Sequence, residues 1–321
     1  MRDYLRWGVL GASNFARKTM APAIHAADRA ELAAVATRDA AKAAPFQSFA
    51  PGLRAHASYD DLLADPEIDA VYIPLPNALH VEWSEKAAQA GKAVLCEKPI
   101  GMTAGDIDRL IALRDETGVF IAEAWMPAHH PQWARIREIL AEGGIGKLHT
   151  VAGVFTYPLP AGAANVRNDA ALGGGALRDI GVYPIGAARI ATGLEPELTW
   201  ADAIIEKGVD SSTWVQARLG DARFSFYVSM RAGLRQEMVF HGSEGSLVVE
   251  APFNAGSYGE AAIRWRRAGL DEDLIRYPNE QQYKNQVEAV AASVLEGAEY
   301  ACPLELSRGT QAFIDKVFAS L

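Results

Sequence analysis

Cysteine is almost missing: Cys96 and Cys302 are the only two in 321 residues. Two distant thiols make neither a disulfide framework nor a zinc-type spacing, and they fit a reducing, cytoplasmic compartment. Long apolar runs are missing too; none approaches the ~20 residues a membrane span needs. Met1 to Trp7 carries charges and no apolar core, so no secretory leader is expected there. A surplus of positive charge is the third absence. Lysine and arginine total 31 against 40 acidic residues, a net charge of −9, with no basic cluster. This argues against a nucleic-acid partner. It does not bar an anionic cofactor, because backbone donors and the local field decide that. What is present is ordinary for a globular protein: 50% hydrophobic residues, 22% charged ones, and length enough for two domains with a core each.

Strand and helix patterns alternate through the first half. Arg6-Trp7-Gly8-Val9-Leu10-Gly11 is a short apolar strand running into glycine, followed by Ala12-Ser13-Asn14-Phe15-Ala16 and a helical pattern to about Ala27. Strand, glycine turn and helix start come in the order of a dinucleotide-binding turn. On the G-x-G-x-x-G template the positions are Gly11, Ser13 and Ala16. Glycine remains where the turn is tight, serine costs some backbone approach to a pyrophosphate, and alanine still lets helix and strand pack closely. A second strand, Glu31 to Thr37, leads into Arg38 and Asp39. An acid at this tip would suit the 2′-hydroxyl of NAD; a guanidinium and a hydroxyl suit a 2′-phosphate. NADP(H) is therefore the expected cofactor and NAD(H) the alternative, with Asp39 read as the cap of the next helix.

Tyr59 to Ala64 reads as a short helix. Asp69 to Ile73 is a strand stopped by Pro74 and Pro76; Asn77 is placed to cap a helix to Ala90, and His80 falls one turn in. Ala93 to Cys96 is a buried strand with Glu97-Lys98-Pro99 at its carboxyl end, where open α/β sheets bind ligands. A partly desolvated lysine there can handle protons near neutrality; the plainer reading is a solvated pair at a strand end. Thr103 opens a helix, with Asp106 spaced for a capping box, and Val119 to Ala124 is a strand leading to Trp125. The alternation predicts a parallel sheet with right-handed crossovers.

In the second half a helix from about Pro131 to Glu142 precedes a strand, Leu148 to Phe155, and a small-residue loop, Tyr157 to Ala171. The glycines 173 to 175 let an extended backbone pass close to another segment and feed a helix to about Thr192. On that helix Asp179 and Tyr183 are spaced i, i+4, one face carrying a carboxylate and a phenol. They read either as a proton-transfer pair or as a buried tyrosine satisfied by the aspartate. Strands follow at Leu198–Glu206, Ser212–Leu219, Ala222–Met230, Glu237–His241 and Leu247–Glu250, with helices near Tyr283–Leu295 and Ser307–Ser320. Trp200, Trp214 and Trp265 read as core or interface residues. The predicted fold is α/β: a Rossmann dinucleotide-binding domain (1–125) and an α+β domain (126–321) with an open, mostly antiparallel sheet, its last helices packing back on the first domain.

Four segments together resemble the glucose-fructose oxidoreductase/inositol dehydrogenase (Gfo/Idh/MocA) family over nearly the whole chain. They are Trp7-Gly-Val-Leu-Gly-Ala12, Pro76-Asn77-x-x-His80, Gly91-Lys92-x-Val-Leu-Cys96-Glu97-Lys98-Pro99 and Gly173-Gly-Gly-x-Leu177-x-Asp179-Ile-Gly-x-Tyr183-Pro184. Tyrosine at 183 and the Asn-x-Arg context of Arg167 are similar to the dimeric dihydrodiol dehydrogenase and NADP-linked D-xylose dehydrogenase branch. Arg178, Asn168 and Ala170 depart from the pattern. The resemblance implies hydride transfer between NADP(H) and a sugar, polyol or dihydrodiol. It makes Lys98, Tyr183 and Asp179 catalytic, with Tyr183 exchanging the hydroxyl proton and Lys98 stabilising the developing oxyanion. Cofactor contacts are expected at Gly11, Ser13, Asn14, Phe15, Thr37, Arg38, Leu75, Pro76, Asn77, His80, Glu97 and Lys98, and substrate walls at Trp125 and Arg167. No metal site is expected. In relatives the peptide matching Lys98–Pro99 is commonly cis, which the sequence alone does not decide for this chain; the open sheet is expected to pair copies into a homodimer or larger homo-oligomer. A non-catalytic nucleotide-binding regulator and an NAD-dependent glycosidase are the alternative functions.

Overall fold

Residues 3–321 are described in a computed structural model. Met1 and Arg2, which open the charged segment Met1 to Trp7 where no leader is expected, lie outside the described residues. The chain forms two units: residues up to His129 together with Tyr283–Arg308, and His130–Gln282 together with Gly309–Leu321.

In the first unit the strands are β1 (Leu5–Leu10), β2 (Ala30–Ala36), β3 (Arg54–His56), β4 (Ala70–Ile73), β5 (Ala93–Cys96) and β6 (Ile121–Glu123). They pair in the order β3-β2-β1-β4-β5-β6, every pair parallel. β1, β4 and β5 are buried end to end, as parallel strands covered on both faces must be. Val71, Ile73, Val94 and Cys96 join one apolar cluster with Leu62, Ile107 and Leu110 of the covering helices. The chain winds outward from β1 to β3, then returns to β4 on the other side of β1. That reversal is the topological switch point of the sheet. The Thr103–Asp106 capping box is formed in both directions.

The second unit holds β7 (Leu148–Thr156), β8 (Pro196–Glu206), β9 (Val209–Leu219), β10 (Ala222–Ser229), β11 (Arg235–Gly242), β12 (Gly245–Val249), β13 (Ala261–Arg267) and β14 (Glu272–Tyr277). Their order is β14-β13-β12-β11-β7-β10-β9-β8, with β7 and β10 parallel and the other pairs antiparallel. The buried helix Val182–Thr192 lies against β7: a Cβ at Gly153 would come within 2.8 Å of Pro184. The outer face keeps apolar side chains in the open. Trp200 and Ile204 on edge strand β8 are 49% and 51% exposed, and Trp214 stacks on Tyr227 at 4.8 Å. Trp265 gives its indole N–H to the Gly144 carbonyl. Among the described residues no helix is long and apolar enough to cross a membrane.

Three strands were not anticipated. β3 has only three residues, too few for a period. β13 and β14 carry rows of charge, and ion pairs Arg264–Glu250 and Arg266–Glu272 replace the apolar alternation that marks a strand. Such charge also blunts an exposed sheet edge.

Candidate active site

In the first unit the expected cofactor contacts gather at the carboxyl ends of β1, β2, β4 and β5. β1 runs into Gly11, whose φ of +116° suits glycine and where a Cβ would meet Leu75 at 3.1 Å. The Gly11 amide donates to the Ala36 carbonyl, tying the tips of β1 and β2 together. Ser13, in the second glycine's place, accepts the Ala16 amide at 3.0 Å and so anchors the helix start. Asn14 and Phe15 follow, both exposed, and the next turn, Ala16–Met20, is π-helical. Past β2, the Asp39 carboxylate accepts the Ala41 amide at 3.0 Å and caps the helix Ala40–Gln47. Among the described residues no carboxylate pairs with the exposed Arg38, and the Thr37 hydroxyl lies next to it. A glycine cradle, a helix start and an uncommitted guanidinium fit a dinucleotide carrying a 2′-phosphate.

The Lys98 turn is pinned from several sides. Lys98–Pro99 is a cis peptide. Tyr72, buried in β4, donates its hydroxyl to Glu97 Oε1 at 2.5 Å, and Glu97 Oε2 accepts the Lys98 amide at 3.3 Å. Burial first, then the Glu97 charge, raises the Tyr72 pKa well above its usual value, so it stays a donor. Glu123, 5% exposed, accepts the Ile100 amide and the Ser307 hydroxyl, each at 2.9 Å. Its pKa is raised, chiefly by burial. His80, expected among the cofactor contacts, is fully buried; Nδ1 and Nε2 lie 2.8 Å from the Pro99 and Leu75 carbonyls. Two carbonyls call for a doubly protonated ring, but burial outweighs their pull and lowers its pKa, so the neutral ring donates to one of them. His80 thus ties the Leu75 loop to the Lys98 turn. Asn77 does not stand at the cap position expected for it: Pro76 and Leu79 hold those places, with no side-chain cap. Trp125 is 2% exposed, and among the described residues its buried indole N–H meets no acceptor.

The second unit gathers Asp179, Arg167, Tyr157 and Tyr183. The Tyr157 hydroxyl and the Arg167 Nε both donate to Asp179 Oδ2 at 2.7 Å. The Asp179 charge raises the Arg167 pKa, and burial with that same charge raises the Tyr157 pKa. Asp179 thus satisfies the phenol of Tyr157, a residue that opens the loop after the strand and carries no motif of its own. Tyr183, 5% exposed, packs its ring 5.2 Å from Phe155 and 5.3 Å from Phe253. Asp179 lies not on a regular α-helix but on a π-helical turn, Leu177–Gly181, that precedes the α-helix Val182–Thr192. Such wide turns recur at functional sites. Asp210 anchors its start by accepting the Leu177 amide at 2.7 Å and the Thr213 hydroxyl at 2.8 Å. Burial pushes the Asp210 carboxyl up to about 6. Arg178, out of pattern in sequence, lays its guanidinium over the Phe318 ring at 4.6 Å.

Tyr72, Glu123, Tyr157 and Asp210 were therefore missed. One signal was available: a tyrosine inside the aliphatic strand Ala70–Ile73 needs a partner for its hydroxyl, and Glu97 directly follows the neighbouring strand.

Comparison with known proteins agrees in both units. Residues 5–124 match a family model described as oxidoreductase family, NAD-binding Rossmann fold, and residues 133–248 match the GFO/IDH/MocA C-terminal domain. A dTDP-3,4-didehydro-2,6-dideoxy-alpha-D-glucose 3-reductase of Saccharopolyspora spinosa is 38% identical, over 92% of this chain and 90% of its own. D-xylose 1-dehydrogenase (NADP(+)) 2 of Haloferax volcanii is 31% identical, over 98% and 97%. A trans-1,2-dihydrobenzene-1,2-diol dehydrogenase of Danio rerio is 31% identical, over 77% and 75%. The crystal structure of KijD10, a 3-ketoreductase from Actinomadura kijaniata in complex with NADP and TDP-benzene, superimposes with a TM-score of 0.92 at 31% identity, over 99% and 98%.

Proposed function

This chain belongs to the GFO/IDH/MocA oxidoreductase family, and from that premise we propose that it is an NADP-preferring dehydrogenase or reductase acting on CH–OH groups of a sugar, polyol or dihydrodiol. Residues 1–125 bind the nucleotide and 126–321 the substrate. When bound, NADP(H) supplies or takes the hydride. Gly11, Ser13, Asn14, Phe15, Thr37, Arg38, Leu75, Pro76, Asn77 and Glu97 hold it, with His80 supporting Leu75 from below. Tyr183 takes the hydroxyl proton in oxidation and returns it in reduction. Lys98, as an ammonium, stabilises negative charge on the phenolate or alkoxide oxygen. Asp179 positions Tyr157 and Arg167 and, through them, the substrate; Trp125 is a wall residue.

The observation that carries this reading is the turn bearing Lys98, fixed beside the switch point by Tyr72–Glu97, His80 and Glu123. Ionisable groups held this firmly at strand ends are what a reaction site requires. The relatives' substrates share a feature. The carbon beside the reacting one also bears oxygen: position 4 beside 3 in the didehydro sugar, the partner hydroxyl in the 1,2-diol, carbon 2 beside carbon 1 in xylose. A homodimer through the open sheet face, around Trp200, Ile204 and Trp214, completes the proposal, and Cys96 and Cys302, both buried and in no disulfide, suit a reducing cytoplasm. The test is a panel of aldoses, polyols and dihydrodiols followed by nicotinamide absorbance with each cofactor. Turnover with NADP(H) supports the reading; cofactor binding without turnover on any member refutes it.

A further inference from the structure

Asp210 is a carboxylate buried inside the second unit. It lies on β9, 2% exposed, against the turn that carries Asp179. Its Oδ2 accepts the Leu177 amide at 2.7 Å and the Thr213 hydroxyl at 2.8 Å. Among the described residues no other residue donates to Oδ1. That oxygen stands against Gly175 instead, 2.2 Å from where a Cβ would be, and the φ of +120° there also calls for glycine. The Leu177 amide is one of the donors that a helix start leaves without a partner inside the helix. A side chain at the cap position normally serves such a donor. Here Ala176 holds that position with no side-chain bond, and a strand residue 33 positions beyond Leu177 supplies the oxygen.

Gly175 is also the junction from which two site residues are set. Its amide donates to the Arg167 carbonyl at 3.0 Å, and its carbonyl accepts the Asp179 amide at 3.1 Å. Arg167 and Asp179 then pair through their side chains at 2.7 Å. Asp210 therefore braces the backbone behind both ends of that pair. The grip depends on charge. An ionised acceptor bonds about twice as strongly as a neutral one. A proton on Oδ1 leaves Oδ2 an ordinary carbonyl oxygen. The charged group facing Asp210 is Arg178 of the same turn, whose field favours the carboxylate; Asp315 of the helix Leu304–Ser320 acts on the same guanidinium. Burial works the other way and brings the carboxyl up to about 6, within the range where turnover can be measured.

We propose that Asp210 is a positioning residue of the reaction: as a carboxylate it fixes the backbone from Gly175 to Leu177 and, through it, the Asp179–Arg167 pair, and protonation slackens both. This rests on the dehydrogenase reading above and deepens it. Activity and stability then part company. Ionising a buried carboxyl lowers the stability of the fold as pH rises, while the same ionisation tightens the site. The test is kcat and KM with NADP, on a substrate that the panel above shows to be turned over, from pH 5 to 8 in wild type and Asp210→Asn. The amide keeps an acceptor oxygen and cannot ionise. The other titrating groups are common to both proteins, so the ratio of their kcat values isolates Asp210. That ratio should rise by roughly 5- to 10-fold through pH 6, the advantage of a charged over a neutral acceptor, with KM for NADP unchanged. Thr213→Val removes one donor from the charged form and should move the step in wild-type kcat to higher pH. It also keeps the test open should Asp210→Asn not fold. A purely structural aspartate would leave the kcat ratio constant with pH. A constant ratio, or a step that Thr213→Val does not move, overturns the inference and leaves the dehydrogenase reading intact. Absence of wild-type turnover on every member of the panel defeats that reading, and this inference with it.

Discussion

Replacing Glu123 tests how the Lys98 turn is held. The carboxylate is buried and serves two donors, the Ile100 amide just past the cis peptide and the Ser307 hydroxyl of the helix Leu304–Ser320. Ile100 and Ser307 are themselves 0% and 3% exposed, so water cannot replace a lost acceptor. Glu123→Leu keeps the bulk and removes both acceptors. Each stranded donor costs about 1–3 kcal/mol, so the gross loss is about 2–6 kcal/mol. Relief from burying a carboxylate, which already raises the Glu123 pKa, offsets part of this and leaves a net loss of roughly 1–4 kcal/mol. Glu123→Gln keeps an oxygen for Ile100 and offers its amide to the serine oxygen, at a cost of less than about 1 kcal/mol. Urea unfolding of the three proteins reads the stability, and turnover measured well below the unfolding midpoint reads the turn itself. The leucine variant should lose turnover as well as stability, with the glutamine variant close to wild type on both. A leucine variant as stable and active as wild type, or a glutamine variant as damaged as leucine, would refute the reasoning.

Two further outcomes follow from side chains elsewhere. Native Asp210 keeps its proton up to about pH 6 while the unfolded chain releases it near 3.8, so the native state binds more protons between those values and loses stability as pH rises through them. Asp210→Asn has no such titration; urea unfolding from pH 4 to 7 should show the variant gaining on wild type by up to about 3 kcal/mol, and a constant difference would show that the carboxyl is not perturbed. Arg38→Ala should lower kcat/KM for NADP by roughly 10- to 100-fold and that for NAD far less, and wild-type efficiency with NAD equal to or above that with NADP would contradict the assignment.

Local signals were legible in the chain. Thr103 and Asp106 form the capping box that their spacing announces, and Tyr59–Ala64 is helical from Ser58's cap onward. The glycine turn, the buried strands and the Glu97-Lys98-Pro99 tip could be read because each rests on residues close in sequence. What escaped depends on partners far along the chain. Tyr157 looks like a loop residue until Asp179, 22 positions on, accepts its hydroxyl. Glu123 looks like the end of a strand until Ser307, 184 positions away, meets it. The π-helical turns at Ala16–Met20 and Leu177–Gly181 are invisible to a 3.6-residue period. Asn77 shows the opposite failure: a good capping residue loses the position because the chain enters its helix through a 3₁₀ turn.

Lys98 and Tyr183 are proposed to serve a single hydride transfer. Its most direct test is the single-turnover rate of NADPH oxidation, with a carbonyl substrate, in wild type, Lys98→Met, Tyr183→Phe and the double variant, alongside NADPH affinity by fluorescence. Each single variant should keep NADPH affinity and lose about 100-fold or more in rate, and the double variant should be little worse than the poorer single, because groups acting as one unit are not additive. Wild-type rates in either single variant, or losses that simply multiply in the double, would contradict it.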